Sequence, residues 1–165
     1  MCTTDPRPSL RDLHALVAEG RFPQDGWNQR LDLADLVGKI CVAFDVSPLK
    51  DRVAMTFLDG TVALMDHTQD CCEQVTVEDI NGDPTDLLGT PLLVCEERVS
   101  QDTSNVYESS TWTFYTLRTL RGSVDVRWLG VSNGYYSESV DVTVRAPDVP
   151  PTQHQQLAAL RELLA

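Results

Sequence analysis

The residues best suited to recognition chemistry lie in the second half of the chain. Trp112, Phe114, Tyr115, Trp128, Tyr135 and Tyr136 fall within 25 residues. Five of the 13 basic residues, Arg98, Arg118, Arg121, Arg127 and Arg145, share that half. An arginine among tyrosine, tryptophan and asparagine side chains can hold a planar or phosphorylated small molecule by stacking and forked hydrogen bonds. Arg127, Asn133, Tyr135, Tyr136, Tyr115 and Trp112 are therefore the candidate ligand-binding residues, with Arg127 for an anionic group and a tyrosine for base stacking. The competing reading is structural. In it Arg127 pairs with Asp125 or Asp141, and the tyrosines cover a sheet edge.

A second concentration is His67, Asp70, Cys71, Cys72 and Glu73. These types could ligate a metal, or form a Cys–His pair oriented by a carboxylate. An extended strand would place Cys71 and Glu73 on one face and Cys72 on the other, whereas a closed zinc site needs four convergent ligands. The same geometry argues against a bond between adjacent cysteines. The odd count of five cysteines reads as reduced thiols, most of them small core residues. Asp79, Asn81, Asp83 and Asp86 suggest half a calcium loop, but Gly82 comes too early and Thr90 stands where a bidentate glutamate belongs. That segment is read as a turn with an acidic rim. No P-loop, G-x-S-x-G, H-E-x-x-H or G-x-G-x-x-G motif occurs. The expectation is a binding protein with no catalytic residue, metal or cofactor.

These side chains need a scaffold, and the hydrophobic pattern supplies a β-rich one. Period-two alternation marks strands over residues 40–46, 52–58, 61–66, 75–80, 92–99, 111–119, 123–129 and 138–145. Asp59-Gly60 between two of them is a hairpin signal. Residues 31–37 read as one or two helical turns ended by Gly38, and Asp86-Leu87-Leu88-Gly89 repeats that short pattern. Residues 21–30 and 101–110 read as loops. Ser9 caps an amphipathic helix that stops at Gly20, and Leu157, Leu160, Leu163 and Leu164 place another at the end. The predicted fold is mainly β (α+β), an antiparallel meander of about eight strands flanked by an N-terminal and a C-terminal helix. Its predicted divisions are an N-terminal tail, helix and loop over 1–34, a β domain over 35–145, and a Pro-rich linker with a helix over 146–165.

Charge narrows the partners. With 13 Lys plus Arg against 25 Asp plus Glu, the net charge is −12. This disfavours general nucleic-acid binding and docking on anionic lipid. Residues 53–97 hold ten acids and no Lys or Arg, a stretch that could steer onto a basic protein. No apolar run is long enough to span a bilayer and no signal peptide opens the chain, so a cytoplasmic location is expected.

Several stretches in order resemble a known family. They are Asp70-Cys71-Cys72-Glu73, Val77-Glu78-Asp79-Ile80 with Gly82-Asp83, Asp86-Leu87-Leu88-Gly89, and Glu96-Glu97. Trp112-Thr113-Phe114-Tyr115, Arg127-Trp128 and Ser132-Asn133-Gly134-Tyr135-Tyr136-Ser137 complete the set. Together, over about residues 35–145, they resemble a small β-rich phage and prophage domain of unknown function. The chain is also similar to the first class of phage Thoeris anti-defence sponges, which sequester cyclic ADP-ribose isomers. The resemblance implies an oligomeric phage-type protein in the host cytoplasm. It would hold a small nucleotide-like immune signal, a cyclic ADP-ribose isomer or cyclic oligonucleotide, without turning it over. The alternative function is a protein–protein inhibitor of a host factor acting through its acidic stretch.

Overall fold

The computed structural model describes residues 29–102, 104 and 108–165. The predicted helix ending at Gly20, together with Cys2, His14 and Trp27, lies outside these residues. Among the described residues the alternating segments form nine strands. In order they are β1 (Gln29–Arg30), β2 (Cys41–Val46), β3 (Arg52–Phe57), β4 (Val62–Asp66), β5 (Gln74–Asn81), β6 (Val94–Asp102), β7 (Ser109–Arg118), β8 (Ser123–Ser132) and β9 (Asp141–Arg145). Helix α1 (Gln153–Leu164) follows. The eight predicted strands are present, and β1 is a short addition that pairs with β9 where a loop was expected.

The strands divide into two antiparallel sheets, ordered β1-β9-β4-β3-β2 and β5-β8-β7-β6. A single meander therefore does not describe the chain. β9 leaves the neighbourhood of β8 and pairs with β4, Met65 opposite Val142. The sheets share one core, because alternate residues of each point at the other. Val53, Met55, Phe57 and Met65 come from one side, and Tyr115, Leu117, Val126 and Trp128 from the other. Burial of this apolar area is the main force holding the sheets together.

Two short 3-10 turns join the sheets at one end. Leu33–Leu36 is capped by the Asp32 carboxylate, Pro84–Leu87 by that of Asp83. Glycine follows each, Gly38 at φ 89° and Gly89 at φ 80°, a backbone region costly for other residues. The chain leaving each turn then bonds to the other. Gly38 N–H donates to Leu92 O at 2.8 Å, and Gly89 N–H to Cys41 O at 2.9 Å. The similarity of 35–38 and 86–89 thus has a physical meaning, since the glycine that closes each turn donates its N–H to the chain that follows the other turn.

A bulge between Cys41 and Ala43 shifts the inward positions of β2. Cys41 faces the core before it, and Phe44 and Val46 pack on the core after it. Cys41 and Cys95 are buried free thiols. Burial pushes them up to about 12 and about 11, so they behave as small apolar residues. Among the described residues no helix is long and apolar enough to cross a membrane. α1 begins with a capping box formed by Thr152 and Gln155, and its Leu164 reaches Gly89.

Candidate functional site

The outer face of the four-stranded sheet carries the recognition residues. β7 and β8 alternate strictly, so Trp112 and Phe114 point outward while Thr113, Tyr115 and Leu117 point into the core. On β8, Asp125, Arg127 and Leu129 point outward while Val126 and Trp128 are buried. Register then aligns one row across all four strands. Arg98 of β6 lies opposite Phe114 of β7, Phe114 opposite Arg127 of β8, and Arg127 opposite Asp79 of β5. The neighbouring row is Ser100, Trp112, Leu129 and Thr76.

This register places two guanidinium groups against aromatic rings. The Arg98 guanidinium lies 5.5 Å from the Phe114 centroid. That of Arg127 lies 5.0 Å from the Trp112 centroid and 5.9 Å from that of Phe114. Trp112 and Phe114 stack at 6.2 Å with an interplanar angle of 20°. Such contacts contribute about 0.5–1 kcal/mol each at exposed sites. Arg127 also approaches the Asp79 carboxylate at 3.4 Å. The pair is solvent-accessible and weak, so Arg127 stays available to an incoming anion. Beside Trp112 a cavity of about 360 Å³ is lined by Asp102, Ser104, Glu108, Ser110, Leu129 and Val131, among others.

The structure divides the six candidate residues. Arg127 and Trp112 are brought together. Tyr115 is a correction: it is fully buried on the opposite face of β7 from Trp112, with its hydroxyl enclosed near the Glu97 carboxylate. Burial, and then the Glu97 carboxylate, push that hydroxyl well above the usual phenol range. Asn133, Tyr135 and Tyr136 lie beyond the end of β8, roughly 20 Å along the strand from Arg127 at about 3.3 Å per residue. There Asn133 accepts a hydrogen bond from Tyr135 N–H at 3.0 Å, and the two tyrosine rings meet edge to face at 5.1 Å. They form a turn apart from the arginine row. Phe114 and Arg98 belong to the site but were not singled out as ligand contacts. The signal was register, which pairs them across strands distant in sequence.

The second cluster forms a tight structure between β4 and β5. Glu73 is buried, and its carboxylate accepts from Asp70 N–H at 2.5 Å and Cys71 N–H at 3.1 Å, with His67 Nε2 lying 3.1 Å from it. The Asp70 amide first, then His67 and the Cys71 amide, hold the Glu73 carboxyl down to about 2. His67 Nδ1 lies 2.7 Å from Ser139 O. A carbonyl only accepts, so Nδ1 carries a proton there. Among the described residues no group of His, Cys, Asp and Glu is arranged to hold a metal ion. Cys71 and Cys72 are joined in a disulfide. This corrects the expectation of free thiols: the segment is a loop rather than an extended strand, so the two side chains do not diverge.

The acidic stretch does not act as ten free charges. Glu73 is buried, Asp59 pairs with Lys39 at 2.5 Å, Asp79 faces Arg127, and Asp83 caps a turn. The Asp83 cap, with bonds from both Thr85 N–H and Thr85 Oγ1, accounts for the segment that suggested a calcium loop.

Residues 34–142 match the family model of DUF7448, a domain of unknown function. No curated protein and no solved structure matches the chain.

Proposed function

The chain belongs to the DUF7448 family, and we propose that it is a non-enzymatic binder of a planar, anionic small molecule of the nucleotide class. One observation carries this reading. The row Arg98–Phe114–Arg127 sets two cations on one ring, with Trp112 stacked alongside and a cavity adjoining it. A base lies on Trp112 at the cavity, and a phosphate lies between Arg98 and Arg127. Aromatic and arginine side chains on an open four-stranded sheet suit base stacking, which contributes about 1–3 kcal/mol per base. The Asp102 and Glu108 carboxylates in the same cavity can accept hydrogen bonds from amino or ribose hydroxyl groups. In the finer form of the proposal the protein is phage-derived, cytoplasmic and oligomeric. Its ligand is then an immune signal, a cyclic ADP-ribose isomer or a cyclic oligonucleotide, that it sequesters.

The test is thermal unfolding and calorimetric titration against cyclic ADP-ribose isomers, ADP-ribose, and cyclic di- and trinucleotides. Ligand at 100 times its Kd stabilises by about 2.7 kcal/mol, a rise of about 5–10 °C for a domain of this size. The ligand is recovered intact. Trp112→Ala and Arg127→Ala each weaken binding at least tenfold. A flat panel, or affinity unchanged within twofold in both variants, would overturn the proposal.

A further inference from the structure

We propose that Cys71 and Cys72 form a reversible thiol–disulfide exchange site that reacts with small thiols and dithiols. Both residues are exposed, in contrast to the buried Cys41 and Cys95. They are already joined to each other. A cavity of about 380 Å³ opens beside Cys72, with Gln74, Glu108, Ser132 and Asn133 among its walls. Cys71 does not line it. The side-chain amides of Gln74 and Asn133 in that wall can hydrogen-bond a peptide-like thiol.

The loop is built to keep its place while the sulfurs react. Glu73 anchors the backbone on both sides of the pair. Its carboxylate accepts from Asp70 N–H and Cys71 N–H, and its carbonyl accepts from Gln69 Nε2 at 2.6 Å. His67 in turn ties that carboxylate to Ser139. None of these bonds uses sulfur, so breaking the disulfide removes none of them directly.

The exchange balances without further reagents. A thiolate from the incoming dithiol attacks Cys72 Sγ through the cavity. The Cys71–Cys72 bond breaks, and Cys71 leaves as a thiolate that takes a proton from solvent. The second thiolate of the reagent then attacks its own sulfur in the mixed disulfide and releases Cys72, which is protonated in turn. The protein disulfide gains two electrons and two protons, and the dithiol becomes a cyclic disulfide. Oxidised glutathione reverses the process.

The experiment uses the wild-type chain and peptide mapping by mass spectrometry, which separates these residues from Cys2, Cys41 and Cys95. After oxidised glutathione, iodoacetamide leaves Cys71 and Cys72 unlabelled. After dithiothreitol, both are labelled at least tenfold faster than Cys41 and Cys95 in the folded protein, and oxidised glutathione restores protection. An acid quench of the oxidised protein reacting with reduced glutathione places the mixed disulfide on Cys72. Labelling of both residues that is the same before and after dithiothreitol would overturn the exchange site. A trapped adduct mainly on Cys71 would overturn attack through the cavity.

Discussion

The two faces of the four-stranded sheet are made from the same strands and from adjacent residues, yet they do different work. On the inner face Tyr115 and Trp128 are fully buried, and the Trp128 Nε1–H has no hydrogen-bond partner. They serve as volume. On the outer face Trp112 and Phe114 keep part of their surface in solvent and meet arginines instead. One set is held by burial, the other by weak cation–ring contacts that a ligand can share. The difference shows that an aromatic cluster in sequence is two populations once the pleat separates odd from even positions.

Truncation should separate the faces most sharply. Trp128→Ala removes the largest fully buried side chain among the described residues and should lower unfolding free energy by about 3–5 kcal/mol in urea titrations. Trp112→Ala on the outer face should cost under about 1 kcal/mol. Equal losses would break the comparison.

A backbone change tests the same inner face at its far end. A Cβ on Gly130 would come within 2.6 Å of Glu138 O and 2.7 Å of Glu138 Cβ. That glutamate is buried and accepts from Thr111 and Ser132 hydroxyls at 2.6 Å each. Gly130→Ala should therefore cost about 1–3 kcal/mol through overpacking, measured in the same titrations.

Acid should act at the loop before β5. The Glu73 carboxyl titrates lower in the folded chain, at about 2, than its ordinary 4.5. The stability it contributes is present above pH 4.5 and is lost as pH falls toward 2. Glu73→Gln should lower stability at neutral pH and flatten this acid limb in denaturation midpoints measured from pH 6 downward. The smallest effect belongs to Tyr115→Phe. It deletes a buried hydroxyl whose polar neighbour is the Glu97 carboxylate, so stability should change by no more than about 1 kcal/mol. A loss above 2 kcal/mol in urea would show that the hydroxyl is engaged.

How much of this was legible depended on whether the determining contacts were local. Val124, Val126 and Trp128 alternate without interruption, and β8 could be read directly. The bulges at Cys41/Ala43 in β2 and Val77/Asp79 in β5 shift the inward positions partway along, and no residue type announces them. The assignment of β9 to the other sheet depends on long-range pairing with β4 and leaves no period in the sequence. At the site, Arg127 and Trp112 were legible as types. Tyr115 was misplaced because Trp112 and Tyr115 are an odd number of residues apart and so lie on opposite faces. Asn133, Tyr135 and Tyr136 are near Arg127 in sequence, but an extended strand turns that nearness into distance. The Cys71–Cys72 bond was missed because a strand was assumed where Glu73 draws the chain into a loop.

The central claim is that the outer face receives the ligand while the inner face only supports it. Tryptophan indole N–H resonances of the nitrogen-labelled protein report on both faces at once, with Trp112 assigned from Trp112→Phe and Trp128 from Trp128→Phe. Titration with the nucleotide panel should move the Trp112 resonance saturably and leave that of Trp128 in place. A nucleotide that binds while the Trp112 resonance stays fixed would contradict the account.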